Sequence, residues 1–203
     1  MKSEKLNRGE RTREQIIQAA HDLFVQQGYH GTSMRQIANH ASISLGGLYN
    51  HFDSKEEVFK AVFVDYHPYH RVLPILLAVQ GESVETRVRH AAFQMRQAIE
   101  DDPDFMNLMF IEVVEFKSAH ASKVFEVVLP QGIEVVERIV GDQQDETREI
   151  PALMLIRSFL GLLFSYFLTE IIFAASAPSE FRENAMDYLV DIYLHGILEV
   201  ETK

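Results

Sequence analysis

An all-α fold is predicted by three observations. Apolar residues recur at three- and four-residue spacing along most of the chain, no run alternates with the two-residue period of a strand, and prolines 103, 151 and 178 stand where helices would start. Residues 11–27 read as a first helix, with Ile16, Ala20, Leu23, Phe24 and Gln27 on one stripe and Gly28 as its stop. Residues 29–32 connect it to the segment that carries most of the information.

That segment is residues 33–55. Ser33 with Gln36 forms a capping box that starts a short helix with Ile37, Ala38 and Ala41 on its apolar stripe. Ala38 is small enough to let a second helix cross closely. Ser44 then caps that second helix, which turns Leu48 and Phe52 inward and leaves Leu45, Gly46, Tyr49 and Asn50 outward. Two short helices set at an angle, the second presenting small and aromatic groups, predict a helix-turn-helix, a device for placing one helix in the major groove of DNA. Ser54 with Glu57 repeats the capping box, and Val58, Phe59, Val62, Phe63 and Tyr66 carry a further helix until Pro68 and Pro74 break or kink it.

That boundary divides a DNA-binding domain, residues 1–55 with a linking helix at about 55–67, from a larger helical domain, residues 68–203. Helices are expected at 84–100, 103–118 with Asp102 as a cap, 122–140, 151–174 and 178–200, and the polar stretch 141–149 reads as an exposed loop. Residues 158–175 contain one charge, Glu170. A membrane span is the wrong reading of this run, because Arg157 and Glu170 bracket it closely and no basic flank follows. A helix apolar all round is better explained by a body on one side and a second subunit on the other. Gly161, Ser165 and Thr169 of this helix, with Leu189, Ile192, Tyr193 and Gly196 of the last, are the candidate dimer surface.

Composition is that of a soluble protein of one or two domains, 47% hydrophobic and 24% charged over 203 residues. Cysteine is absent, which excludes disulfides and thiolate chemistry, and the charged N-terminus has no apolar secretory region, so a cytoplasmic location is expected. The net charge of −11 is unevenly spread. Residues 1–55 hold seven Lys or Arg against five Asp or Glu, +2, leaving −13 on the other 148. An acidic body repels phosphate, so the basic end, with its arm from Lys2 to Arg13, is the part expected to approach DNA.

The chain also resembles a known family. The segments TREQIIQAAHDLF (12–24), GYHGTS (28–33), IANHASISLGGLYNHF (37–52) and SKEEVF (54–59) are similar to the N-terminal domain of the tetracycline-repressor (TetR) family of transcriptional regulators, over Thr12 to Phe63. One departure is Ser42, at a turn position where the family usually has glycine and where positive φ costs another residue about 1 kcal/mol. The resemblance implies a ligand-responsive repressor that binds a palindromic operator as a homodimer joined through a four-helix bundle. It places Arg35 on a guanine, Leu45 on a thymine methyl and Gly46 at a close backbone approach, with Ser44, Gly47, Tyr49, Asn50, His51 and Lys55 on phosphates.

It also implies a small, largely apolar effector in the C-terminal body, for which His67, His70, Phe93, Met109, Phe110, Glu112, Phe116, Phe159 and Phe164 are the candidates. No cofactor is expected. The rival class is a metal-dependent helical enzyme built on Glu112 and Glu115 with His67 and His70, or a protein-interaction adaptor that reuses the fold. Neither glutamate is followed by histidine three residues later, Pro68 interrupts the histidine pair, and GxSxG, HExxH and phosphate-loop motifs are absent, so neither catalysis nor a metal is expected.

Overall fold

The computed structural model describes residues 8–141, 147–173 and 176–198. Lys2 and Lys5 of the basic arm, most of the 141–149 loop, and the last residues assigned to the 151–174 and 178–200 helices lie outside the described residues. Described residues form eleven helices: α1 Arg8–Gly31, α2 Met34–His40, α3 Leu45–Tyr49, α4 Lys55–Asp65, α5 Tyr69–Leu77, α6 Val84–Glu100, α7 Asp104–Phe116, α8 Ala119–Val140, α9 Ala152–Phe173, α10 Ser179–Arg182 and α11 Ala185–Ile197. Their only β-type pairing is an isolated antiparallel bridge between Thr147 and Leu198.

Two compact units result, residues 8–67 with 102–126 and residues 68–101 with the described part of 127–198. The second stretch of the first unit, α7 and the start of α8, was placed by sequence in the C-terminal domain. In the first unit α1 packs on α2, α4 and α7. Phe24, Phe59 and Phe63 are almost fully buried there with Ile16, Ile37, Leu48, Val58, Val62 and Leu108. Each large side chain so buried contributes about 1.5–3 kcal/mol. In the second unit α6 packs on α5 and α11, and α11 on α9. One cluster joins Val84, Val88 and Ala92 to Leu155, Leu162, Leu163, Met186, Val190 and Leu194. Another joins Val72, Leu73 and Leu76 to Ala91, Ala98 and Val135.

Four sequence expectations are corrected. Pro68 and Pro74 do not leave the 68–83 stretch irregular: Pro68 is the N-cap of α5 and Pro74 sits inside it. A proline in a helix removes one N–H and disturbs one carbonyl, and Pro74 lies on the exposed side while Val72, Leu73 and Leu76 are buried. The single helix at 178–200 is two, α10 and α11, because Asn184 adopts φ 56° between them. Helix α7 starts behind Pro103 as N-cap rather than Asp102, and α8 starts three residues before the expected 122.

The second unit ends several helices with arginine. The guanidinium of Arg87 donates to the carbonyls of Ile139 at 2.6 Å and Val140 at 3.3 Å, at the end of α8. Arg138 donates to the Leu77 carbonyl at the end of α5, and Arg148 to that of Gly196 in the last turn of α11. A helix C-terminus carries unsatisfied carbonyls and a negative partial charge, so a fixed cation there satisfies both.

Candidate nucleic-acid interface

The helix-turn-helix is built by local rules. Ser33 Oγ accepts from Gln36 N, and Gln36 Oε1 accepts from Ser33 N at 2.8 Å, the reciprocal box that starts α2. At the other end the Ile43 N–H donates to the Ala38 carbonyl at 3.0 Å and the Ser42 N–H to that of Asn39 at 3.1 Å. These are the two bonds of a Schellman turn, with Ser42 at φ 58° in the left-handed position. The turn expected to carry strain keeps its full hydrogen bonding, which offsets the cost of a non-glycine residue there.

Helix α3 follows at once. Ser44 Oγ accepts from Gly47 N at 3.0 Å. A Cβ added at Gly47 would stand 3.1 Å from that Oγ, so a side chain there would press on the cap. Leu48 is fully buried and Phe52 nearly so, while Leu45 is 40% and Tyr49 48% exposed. Gly46 is exposed, and a Cβ there would meet nothing within 4 Å. Arg35, Ser44 and Asn50 are exposed as well; His51 is half-buried. The outward face of α3 thus carries two apolar groups, a glycine and no charge. Such a face suits thymine methyls and a close approach to a duplex, and the exposed Arg35 on α2 carries the donors that could bond guanine.

Behind this face Lys55 has a task that spacing did not reveal. Its Nζ donates to the carbonyl of Tyr29 at 2.7 Å and that of Thr32 at 2.8 Å, and it lies 4.1 Å from the Tyr29 ring centroid. Desolvation lowers its pKa, an effect opposed by the charge of Glu115. Lys55 thus has a structural task besides the phosphate role expected of it: two of its three donors close the end of α1, and one is left over. Gly28 makes this end necessary, since its φ of 74° and ψ of 173° break α1 and free its carbonyls. The buried Thr32 hydroxyl stands 2.9 Å from the Gly28 oxygen and 3.2 Å from that of Leu23. Lys55→Met is expected to lower unfolding stability by about 1–3 kcal/mol without any DNA present. Urea unfolding followed by circular dichroism measures it, and an unchanged midpoint would return Lys55 to a purely phosphate-facing role.

At the start of α4 only half of the expected second capping box forms. Ser54 Oγ accepts from Glu57 N at 3.1 Å, but Glu57 Oε2 accepts from the Asp53 N–H at 2.9 Å instead of from Ser54.

The effector candidates do not share one unit. His67, Met109, Phe110, Glu112 and Phe116 lie in the first, and His70, Phe93, Phe159 and Phe164 in the second. Glu112 is fully buried, and its carboxylate is spent within the fold. Oε1 accepts from the N–H groups of His120 at 2.7 Å and Ala121 at 2.9 Å, and Oε2 lies 2.9 Å from His120 Nδ1. A carboxylate beneath the first turn of α8 is a helix cap, which corrects its assignment as a ligand-orienting group. Phe116 stacks on Phe59 at 4.7 Å and meets Tyr29 edge-on at 4.8 Å, so it belongs to the aromatic core. His67 stands edge-on to Phe63 and Phe105. Phe159 packs on Tyr193 and on both clusters of the second unit. Phe93 is 46% exposed and lines an open cleft of about 640 Å³ with Pro74, Ile75, Val79, His90 and Gln94.

Of the dimer candidates, Gly161, Ser165, Ile192 and Gly196 face outward and Thr169 partly so. A Cβ at Gly161 or Gly196 would meet nothing within 4 Å of its own chain. Leu189 and Tyr193 are corrected, because both pack against the unit's own cluster. The Tyr193 hydroxyl donates to the Leu155 carbonyl at 3.2 Å, and burial pushes its pKa up to about 12. Sequence reasoning missed Phe164 as part of this outer face, along with Met154, Ile171, Ile172 and Tyr188, which are 46–65% exposed. Helix α9 is long and apolar enough to cross a membrane by length and composition. Its buried residues Leu155, Leu162, Leu163 and Phe167 nevertheless form one wall of a protein core.

The profile of the family described as "Bacterial regulatory proteins, tetR family" matches residues 16–62, the stretch that runs from α1 to α4. Over this stretch the chain is similar to the TetR family. It is 26% identical to the HTH-type transcriptional regulator YdgC of Bacillus subtilis (strain 168) over 196 residues, 95% of each chain. To the HTH-type transcriptional regulator UidR of Escherichia coli (strain K12) it is 42% identical over 53 residues, which are 26% of this chain and 27% of that one. Among solved structures, NalD of Pseudomonas aeruginosa, the secondary repressor of the MexAB-OprM multidrug efflux pump, superposes with a TM-score of 0.68 at 18% identity, covering 94% of this chain and 98% of NalD. The fold shared with NalD thus extends beyond the N-terminal match. These similarities support a DNA-binding transcriptional regulator rather than an enzyme.

Proposed function

We propose that this TetR-family protein is a homodimeric repressor of the cytoplasm that holds a palindromic operator and leaves it when a small, largely apolar effector binds. The observation that carries the reading is the outer face of α9 and α11. Phe164, Ile171, Ile172, Tyr188 and Ile192 stand 46–70% exposed along two adjacent helices. Large exposed apolar surface of this kind marks an interface, and a pair of helices from each of two subunits makes a four-helix bundle. A twofold related pair of α3 helices would then read half-sites about one helical turn apart. NalD, described as a repressor, supports the negative sign of regulation.

Release follows if the effector prefers a conformation in which the two reading helices no longer match the grooves. A coupling of about 1–3 kcal/mol reduces operator affinity roughly 5- to 150-fold. Selection of bound fragments from the source genome, followed by addition of candidate compounds to release them, tests the whole reading. Palindromic fragments and a compound that elutes them are the expected result; no preference over scrambled duplex would overturn it. On the selected fragment, Arg35→Ala is expected to cost about 1–3 kcal/mol and to relax base preference at one position in each half-site. Competition assays with every base at that position measure this, and an unaltered preference would remove Arg35 from the reading set.

A further inference from the structure

The end of α7 meets the DNA-binding helices through charge. Glu115 Oε2 accepts a 2.6 Å hydrogen bond from His30 Nε2, which belongs to the last turn of α1. The neighbouring Tyr29 is the residue on which Lys55 rests, through its carbonyl at 2.7 Å and its ring at 4.1 Å. The same Tyr29 ring meets Phe116, the residue after Glu115, edge-on at 4.8 Å. Glu115 and Lys55 are thus opposite charges gathered around one dipeptide, Tyr29–His30. Glu115 acts on Lys55 by its charge and, with Glu56, also helps to raise the pKa of the Tyr29 hydroxyl. His30 is 77% exposed and Lys55 half-buried, so neither is sealed from a polyanion.

We propose that Glu115 is an internal counter-charge to Lys55 and an internal acceptor for His30, competing with DNA phosphate for both, so that the seating of α7 against α1 and α4 sets how strongly the helix-turn-helix attracts a duplex. The proposal rests on the DNA-binding role of this unit and adds to it a regulatory device that needs no contact between Glu115 and DNA. With α7 seated, the carboxylate offsets part of the attraction between Lys55 and a phosphate. Without that charge, the remaining donor of Lys55 and the His30 imidazole meet phosphate unopposed. Glu112, three residues earlier, faces the other way into the unit and caps α8, so the seating of α7 and its charge are carried by separate residues.

Glu115→Gln tests this, because it keeps the shape and one acceptor for His30 while deleting the charge. Glu126→Gln, which deletes a charge from an exposed residue of α8, is the control for net charge. Binding to a random-sequence duplex, titrated in salt, is the readout. Glu115→Gln should bind about 2- to 5-fold tighter than both wild type and the control, the scale of one exposed ion pair, with a steeper dependence on salt. His30→Gln in the Glu115→Gln background should give back part of the gain. A gain equal to that of Glu126→Gln, or weaker binding, overturns the counter-charge. Failure of the wild type itself to bind any duplex would overturn the DNA-binding role instead, so the two failures are distinguishable. Urea unfolding of each variant separates these outcomes from loss of fold, since an exposed pair alters stability by less than about 1 kcal/mol.

Discussion

Glu112→Ala is expected to destabilise the DNA-binding unit by about 3 kcal/mol or more, although the residue is far in sequence from the helix-turn-helix. The substitution leaves three donors without their acceptor: the N–H groups of His120 and Ala121, and the His120 ring at Nδ1. Each buried donor so orphaned costs about 1–3 kcal/mol, and the space left by the side chain adds a cavity. His120 is itself buried between Phe59 and Phe116, so water has little access to compensate. Glu112→Gln keeps one carbonyl oxygen for the α8 N–H groups and is expected to lose less than half as much. Urea unfolding measures both. Unchanged stability together with a lost effector response would instead make Glu112 a ligand contact.

Ile192→Asp is expected to convert the proposed dimer to monomer at micromolar concentration. Ile192 is 70% exposed on the outer face of α11, and a twofold axis through that face would bring two introduced carboxylates together among apolar groups. Like charges set against each other across an interface cost several kcal/mol, which weakens association by more than about 100-fold. Sedimentation equilibrium gives the mass, and the monomer should retain only weak binding to isolated half-sites. A variant that remains dimeric would place the twofold elsewhere on the second unit. The fold of each subunit should survive, because Val190, Leu194 and Ile197, which carry α11 into its core, are untouched.

The reading motif was legible because everything that shapes it lies within a few residues. The Ser33–Gln36 box, the Ser44 cap, the stop at Gly28 and the left-handed Ser42 are contacts between residues no more than five apart, and such contacts leave a spacing in the sequence. The burial of Leu48 and Phe52 was equally plain at four-residue spacing, although Phe52 lies past the end of α3 and is held by its N–H on the Leu48 carbonyl. Pro74 misled for the same reason: a breaker is a local signal, whereas α5 persists because Val72, Leu73 and Leu76 are buried against α6.

Residues with two possible roles were a different matter. Lys55 serves carbonyls 23 and 26 residues away, and Glu112 serves a helix that begins seven residues later, across the turn where Lys117 and Ser118 both take positive φ. On paper each was a charge beside a motif. Leu189 and Tyr193 likewise share a helix with Ile192, and only the packing of α9 and α6 sorts the inward from the outward side.

Short-range chemistry, then, was enough to specify an all-helical chain with a capped, uncharged second helix in a helix-turn-helix, because hydrogen bonds along a helix and its caps are written within one or two turns. Which carboxylate supports a helix, which lysine closes one, and which half of an apolar stripe meets water depend on partners that only chain folding brings near. Burial is a property of neighbours in space, and an identical side chain is a solvated charge or a structural cap according to what surrounds it.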